Sequence, residues 1–292
     1  MRNAFIEHLT ARMQYDDAIF LLVADLGYSV VEPLAERYPD RYLNVGVAEQ
    51  NMTAVACGLA REGYKVFTYS IANFATTRCL EQIRNGICYH SLPVCVVAVG
   101  GGFMYGHLGP THHATEDIAI MRSLPGMRVF VPFSRRSAEL ALDEVLAEPG
   151  PAYVRLGREG LAVADIDDNG LSLVRRAGDG TSDHAFISVG KICARLLQLT
   201  AERRADLYAL CRVKPLPAAD LRRLFAEYTE VTVVEDHQSA GGVLSALAEL
   251  TTTIRGLNID GRFSPGTQDE DGQRDSMLFR QQACTPEHID SL

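Results

Sequence analysis

Residues 64–99 read YKVFTYSIANFATTRCLEQIRNGICYHSLPVCVVAV. Two short β-rich apolar runs, YKVFTY (64–69) and LPVCVVAV (92–99), flank a stretch that reads as a helix from about Ala75. LPVCVVAV, apolar throughout, has no face to give to water, so both faces of its sheet must be covered. Two β-rich runs joined by a helical crossover make a parallel pair. The same alternation continues on both sides, through IFLLVA (19–24), a helix over 47–61, MRVFVP (127–132), a helix from Ser134 and AYVRL (152–156). The predicted fold is α/β, a parallel sheet with helices on both faces, over residues 1–160. Residues 161–180 are irregular and rich in Gly and Asp, which reads as a linker. A smaller α/β unit is expected over 181–292, with runs HAFISVG, ADLYALC and VTVVED, helices in PLPAADLRRLFAEY and GGVLSALAEL, and a last short strand near Leu257. The polar stretch 263–273 reads as a surface arm.

Composition narrows the function. The chain has 292 residues, enough for two ordinary domains, and 47% hydrophobic with 22% charged residues suits a water-soluble globular protein. No apolar run approaches the roughly 20 residues of a membrane span. The N-terminus lacks the apolar core and cleavage site of a signal peptide, so a cytoplasmic location is expected. A net charge of -9 without a Lys/Arg run argues against nucleic acid as a partner. Seven cysteines, at 57, 79, 88, 95, 193, 211 and 284, include no C-x-x-C pair and are read as reduced thiols.

NVGVAEQNM (44–52) places Glu49 early in the helix expected over 47–61, on one helical face with Met52, Thr53 and Ala56. Position alone fits an acid favoured by the helix dipole. The other reading is a desolvated carboxyl able to share a proton with a basic ring nitrogen. The loop GGGFMYGHLGPTHH (100–113) follows an apolar strand, and its exposed backbone N–H groups suggest a phosphate cradle. Its histidines, His107, His112 and His113, fit no standard zinc spacing.

Three motifs, NVGVAEQNM, FTYSIANF (67–74) and GHLGPTHH (106–113), in this order and spacing, resemble the pyrimidine-binding domain of transketolases and 1-deoxyxylulose-phosphate synthases over residues 15–160. The resemblance implies a thiamine-diphosphate-binding fold followed by a smaller transketolase C-terminal domain. It also implies that Glu49 hydrogen-bonds the aminopyrimidine of thiamine diphosphate and promotes ylid formation. Phe74 takes the place of the family's stacking aromatic. Ile71 and Thr77 stand where further aromatics occur, and Tyr69 is near enough in sequence to compensate. His112 falls on a histidine that contacts substrate, with His107 and Arg155 as further substrate-binding candidates, Arg155 matching an arginine that binds phosphate. Leu108 replaces an acid that senses the donor's hydroxyl, and Gly100 replaces a phosphate-assisting histidine. A changed, non-phosphorylated or deoxygenated sugar is one expectation from these replacements.

The family's second half-site, a GDG motif with a following Asn that holds Mg²⁺ and the diphosphate, has no convincing counterpart. Gly178-Asp179-Gly180 lies in the linker and the next asparagine is Asn258, so it reads as a turn. The resemblance therefore implies a separate partner chain carrying GDG and Asn, an α2β2 assembly, and sugar or sugar-phosphate substrates. VTVVEDHQSAGGVLSALAEL resembles the family's C-terminal segment and is expected to support dimerisation. A β subunit of a 2-oxo-acid dehydrogenase and a non-catalytic scaffold subunit are the alternatives.

Overall fold

A computed structural model describes residues 1–158, 160–161, 170–175, 182–238, 240–251 and 258–263. The first sheet contains β1 (Ile19–Val23), β2 (Tyr42–Asn44), β3 (Lys65–Ile71), β4 (Val94–Val99), β5 (Arg128–Phe130) and β6 (Ala152–Leu156). These six are mutually parallel. β4, buried at every position, lies between β3 and β6, where both of its faces are covered.

Side-chain alternation divides the covering helices between the two faces. On one face Phe67, Tyr69, Leu21 and Val97 pack with α1 (Arg2–Met13). The other face receives Val66, Val94 and Val96 together with Met52 and Ala56. The helix expected from about Ala75 starts earlier, as a short α-helix over Ala72–Thr76, and is followed by a π-helical turn over Gln82–Cys88. Ser134 caps the helix Arg135–Ala147 through a capping box with Ser137, as its position before an amphipathic run predicts.

The second sheet runs β12-β11-β8-β9-β7, comprising β7 (Leu171–Arg175), β8 (His184–Ser188), β9 (Asp206–Leu210), β11 (Glu230–Glu235) and β12 (Asn258–Phe263). Two features depart from the sequence reading. Leu171–Arg175, expected within a linker, form an antiparallel edge strand on β9. β10 (Arg212–Lys214), although expected in the second unit, closes the first sheet by pairing antiparallel with β5. Edge pairing satisfies backbone groups that a bare β5 would expose. The strand expected near Leu257 is β12. The GDG at 178–180, Cys284 and the 264–292 tail lie outside the described residues; the six cysteines within them are free.

Among the described residues, no helix is long and apolar enough to cross a membrane.

Candidate active site

Open parallel sheets bind ligands at the carboxyl ends of their strands, and the motif residues gather there. After β2, Asn44 Oδ1 accepts from the backbone N–H of Gly46 and of Asp25, both at 3.0 Å, which ties down the turn. Gly46 takes a φ of 72°, a left-handed conformation that glycine adopts without a side-chain clash. Helix Glu49–Arg61 begins two residues beyond the predicted start, with Glu49 as its first residue. The helix dipole favours an acid here, but a surface charge would suffice for that. Glu49 is instead 2% exposed, and its partners are tertiary. Arg78 Nη1 donates to Oε2 at 2.6 Å, while Ser70 Oγ lies 3.4 Å from Oε1. Oε1 thus keeps acceptor capacity.

Phe74, half-buried in the short helix after β3, presents its ring to two neighbours. The His112 ring stands edge-on at 5.0 Å between centroids, and the Arg78 guanidinium lies 4.3 Å from the Phe74 centroid. His112 ends the Gly-rich loop in a 3₁₀ turn, Pro110–His112. Asn73 Nδ2 donates to the Thr111 carbonyl at 2.7 Å, fixing that turn against the Phe74 helix. Burial, with the positive fields of His113, His107 and Arg78, holds the His112 pKa below the usual 6.5. A neutral imidazole is therefore favoured.

Two of the loop's glycines allow its backbone to approach buried side chains. A Cβ on Gly101 would lie 1.9 Å from Arg155 Nε, and one on Gly102 would lie 2.4 Å from Asp236 Oδ2. Their bare backbone lets the loop lie flat on a buried charge cluster, and a Gly102–Ala114 bridge closes its base.

Arg155 is the centre of that cluster, and its expected role in binding a substrate phosphate does not suit its position. It is 4% exposed. Its Nε donates to Asp117 Oδ2 at 2.8 Å and its Nη1 to Asp236 Oδ1 at 2.5 Å, while Nη2 donates to the carbonyls of Ala114 and Asp236. Burial alone would push the guanidinium's pKa down, and the two carboxylates more than reverse this. No face remains for a substrate anion. Arg158, two residues beyond β6, is exposed.

Tyr69 is also misplaced for the pocket. Successive strand residues point to opposite faces, so Ser70 faces Glu49 while Tyr69 packs with Phe67 in the other core, 1% exposed. Ile71 ends β3, half-buried, and His107 and Leu108 are exposed on the loop. Among the described residues, no group of three or more His, Cys, Asp or Glu is arranged to hold a metal.

Sequence reading singled out Glu49, Phe74 and His112, and the structure brings them together. It missed Arg78 and Ser70. Arg78 lies in the turn after the short helix of Phe74, so no helical spacing marked the pair.

Residues 1–163 match the family described as transketolase, pyrimidine binding domain. A subunit of the apulose-4-phosphate transketolase of Phocaeicola vulgatus is 30% identical over 273 residues, with 88% of this chain and 86% of that protein covered. The 6-deoxy-6-sulfo-D-fructose transketolase subunit of a Clostridium species is 33% identical over 256 residues, with coverages of 85% and 80%. A solved structure described as a split gene transketolase, inactive beta4 tetramer, superimposes with a TM-score of 0.82 at 29% identity, covering 99% of this chain and 95% of that one. With its buried helix-start carboxylate, an aromatic linked to it through Arg78 and a loop histidine against that ring, the chain belongs to the transketolase family, whose cofactor is thiamine diphosphate.

Proposed function

We propose that this chain is the pyrimidine-binding half of a split transketolase that moves a two-carbon ketol unit from a ketose to an aldose. A separate chain would bind Mg²⁺ and the cofactor's diphosphate, in an α2β2 assembly whose active sites lie between subunits. Support comes from relatives that are themselves transketolase subunits and from the split-gene structure, a β-only tetramer described as inactive.

The observation that carries the reading is Glu49, a carboxylate 2% exposed whose Oε1 has, among the described residues, a single 3.4 Å contact, beside the half-buried ring of Phe74. That donor set fits an aminopyrimidine, which offers a basic ring nitrogen and a flat face. When bound, thiamine diphosphate supplies the electron sink that stabilises a carbanion equivalent. Glu49 holds a proton at the pyrimidine ring nitrogen. Phe74 orients the ring by stacking. His112, neutral near pH 7, moves protons to and from sugar oxygens at the mouth of the site.

The two transketolase relatives act on sugars carrying a phosphate or a sulfo group, which favours a substrate with an anionic end. We assign that end to the exposed Arg158 rather than to the buried Arg155. Exposed Leu108 cannot accept a hydrogen bond, so readout of a donor hydroxyl at that position is lost.

The test is reconstitution with a chain carrying GDG and a following Asn, plus thiamine diphosphate and Mg²⁺, against a panel of ketose donors. Ketol transfer by the pair, absent from either chain alone, is the expected result. Turnover unaffected by Glu49→Gln would leave a scaffold role, and oxidative decarboxylation of a 2-oxo acid would place the pair with the dehydrogenases.

A further inference from the structure

We infer that Arg78 is an internal competitor for the cofactor's pyrimidine, occupying Glu49 and Phe74 together until the ring displaces it. This rests on the cofactor reading above. One planar cation engages both groups assigned to the ring, donating to Glu49 Oε2 at 2.6 Å and lying 4.3 Å from the Phe74 centroid. A guanidinium can imitate an aminopyrimidine in these two respects, because each offers a flat face for stacking and, once the basic ring nitrogen has taken up the shared proton, an N–H for the carboxylate.

The pair also answers a problem of burial. A carboxylate that is 2% exposed is costly without a partner, and Arg78 supplies one. A strong partner for Glu49 is at the same time an obstacle to any other.

The local structure lets the side chain leave while its backbone stays. Gln50 Nε2 donates to the Arg78 carbonyl at 3.1 Å, holding the main chain to the Glu49 helix. The Arg78 side chain is 43% exposed, so a rotamer change takes it into water. His112, in edge contact with the same Phe74 ring, then faces the incoming cofactor instead of a cation.

A chain whose binding-competent conformer is a minority binds its ligand more weakly by that fraction. The test measures the Kd of thiamine diphosphate, with Mg²⁺ present, by calorimetry on the reconstituted complex. Arg78→Gln and Arg78→Met are compared with wild type, the latter keeping an apolar stem over Phe74. Both variants should bind about tenfold more tightly, as expected when a closed conformer is no longer favoured. Unchanged or weaker binding by folded variants, checked by circular dichroism, overturns the inference while leaving the cofactor reading intact. Absence of binding by the wild-type complex overturns both. A structure of the loaded complex supplies a second readout: Arg78 turned away from Glu49 supports the exchange, and Arg78 still paired with Glu49 over Phe74 refutes it.

Discussion

Arg155 and Asp236 join the two sheets, Nη1 to Oδ1 at 2.5 Å, one from β6 and the other from the residue after β11. Asp117 completes the cluster at 2.8 Å, and Tyr153 Oη donates to the same Asp117 oxygen at 2.5 Å. The Gly-rich loop that ends at His112 rests on this cluster through Gly101 and Gly102.

Arg155→Met should therefore act on folding first. It leaves two buried carboxylates without their cation, a loss of about 3–5 kcal/mol measured by urea denaturation. Arg155→Lys keeps the charge but not the fork, and should lower stability by less without raising the KM for a phosphorylated donor. A selective KM effect with unaltered stability would restore the phosphate-binding role.

Phe74 and Tyr69 separate the two faces of β3 experimentally. Phe74→Ala should weaken thiamine diphosphate binding by the value of one ring contact, about 0.5–1.5 kcal/mol. Tyr69→Phe should leave that affinity unchanged, since its side chain is buried in the opposite core. Calorimetry on the reconstituted complex distinguishes them.

His112 carries a pH dependence of definite sign. Its pKa in the folded chain lies below 6.5, owing to burial and then the neighbouring positive groups. Between the folded value and 6.5 the unfolded chain binds more protons, so stability rises with pH across that window. Acidification through the window should cost wild type more than His112→Gln. Denaturation midpoints measured in steps from about pH 5 to pH 8 check the difference.

Glu235 has the opposite sign. Burial pushes its carboxyl pKa up, opposed by His237 and by the N–H groups of Leu244 and Val243. Those N–H groups, at 3.0 and 2.7 Å, open the helix Val243–Thr251. The folded chain holds the proton more tightly, so this contribution is complete below about pH 4.5 and is lost as pH rises through the folded value. Glu235→Gln should remove that dependence. Glu235→Ala strands both N–H groups and should cost about 1–2 kcal/mol, read from the same denaturation curves.

Much of the site was legible because its chemistry is local. Glu49 follows Gly46 by a fixed few residues, and the GPTHH segment sets His112 at the end of its loop. Tyr69 shows where locality ends. Alternation along β3 fixes that Tyr69 and Ser70 point oppositely, but which face receives Glu49 depends on where its helix packs. Arg155 shows the same limit, since its partners lie 38 and 81 residues away in sequence.

By itself the sequence determined the parallel α/β core, because apolar runs and helical periods are properties of short windows. It also determined the family, through three spaced motifs. Tertiary structure decided which charges meet. Only packing brought Arg78 onto Glu49 and Phe74, buried Arg155 between two aspartates and lent β10 to the first sheet. The physical reason is that desolvated charges and unpaired strand edges are costly, and their partners need be near only in space.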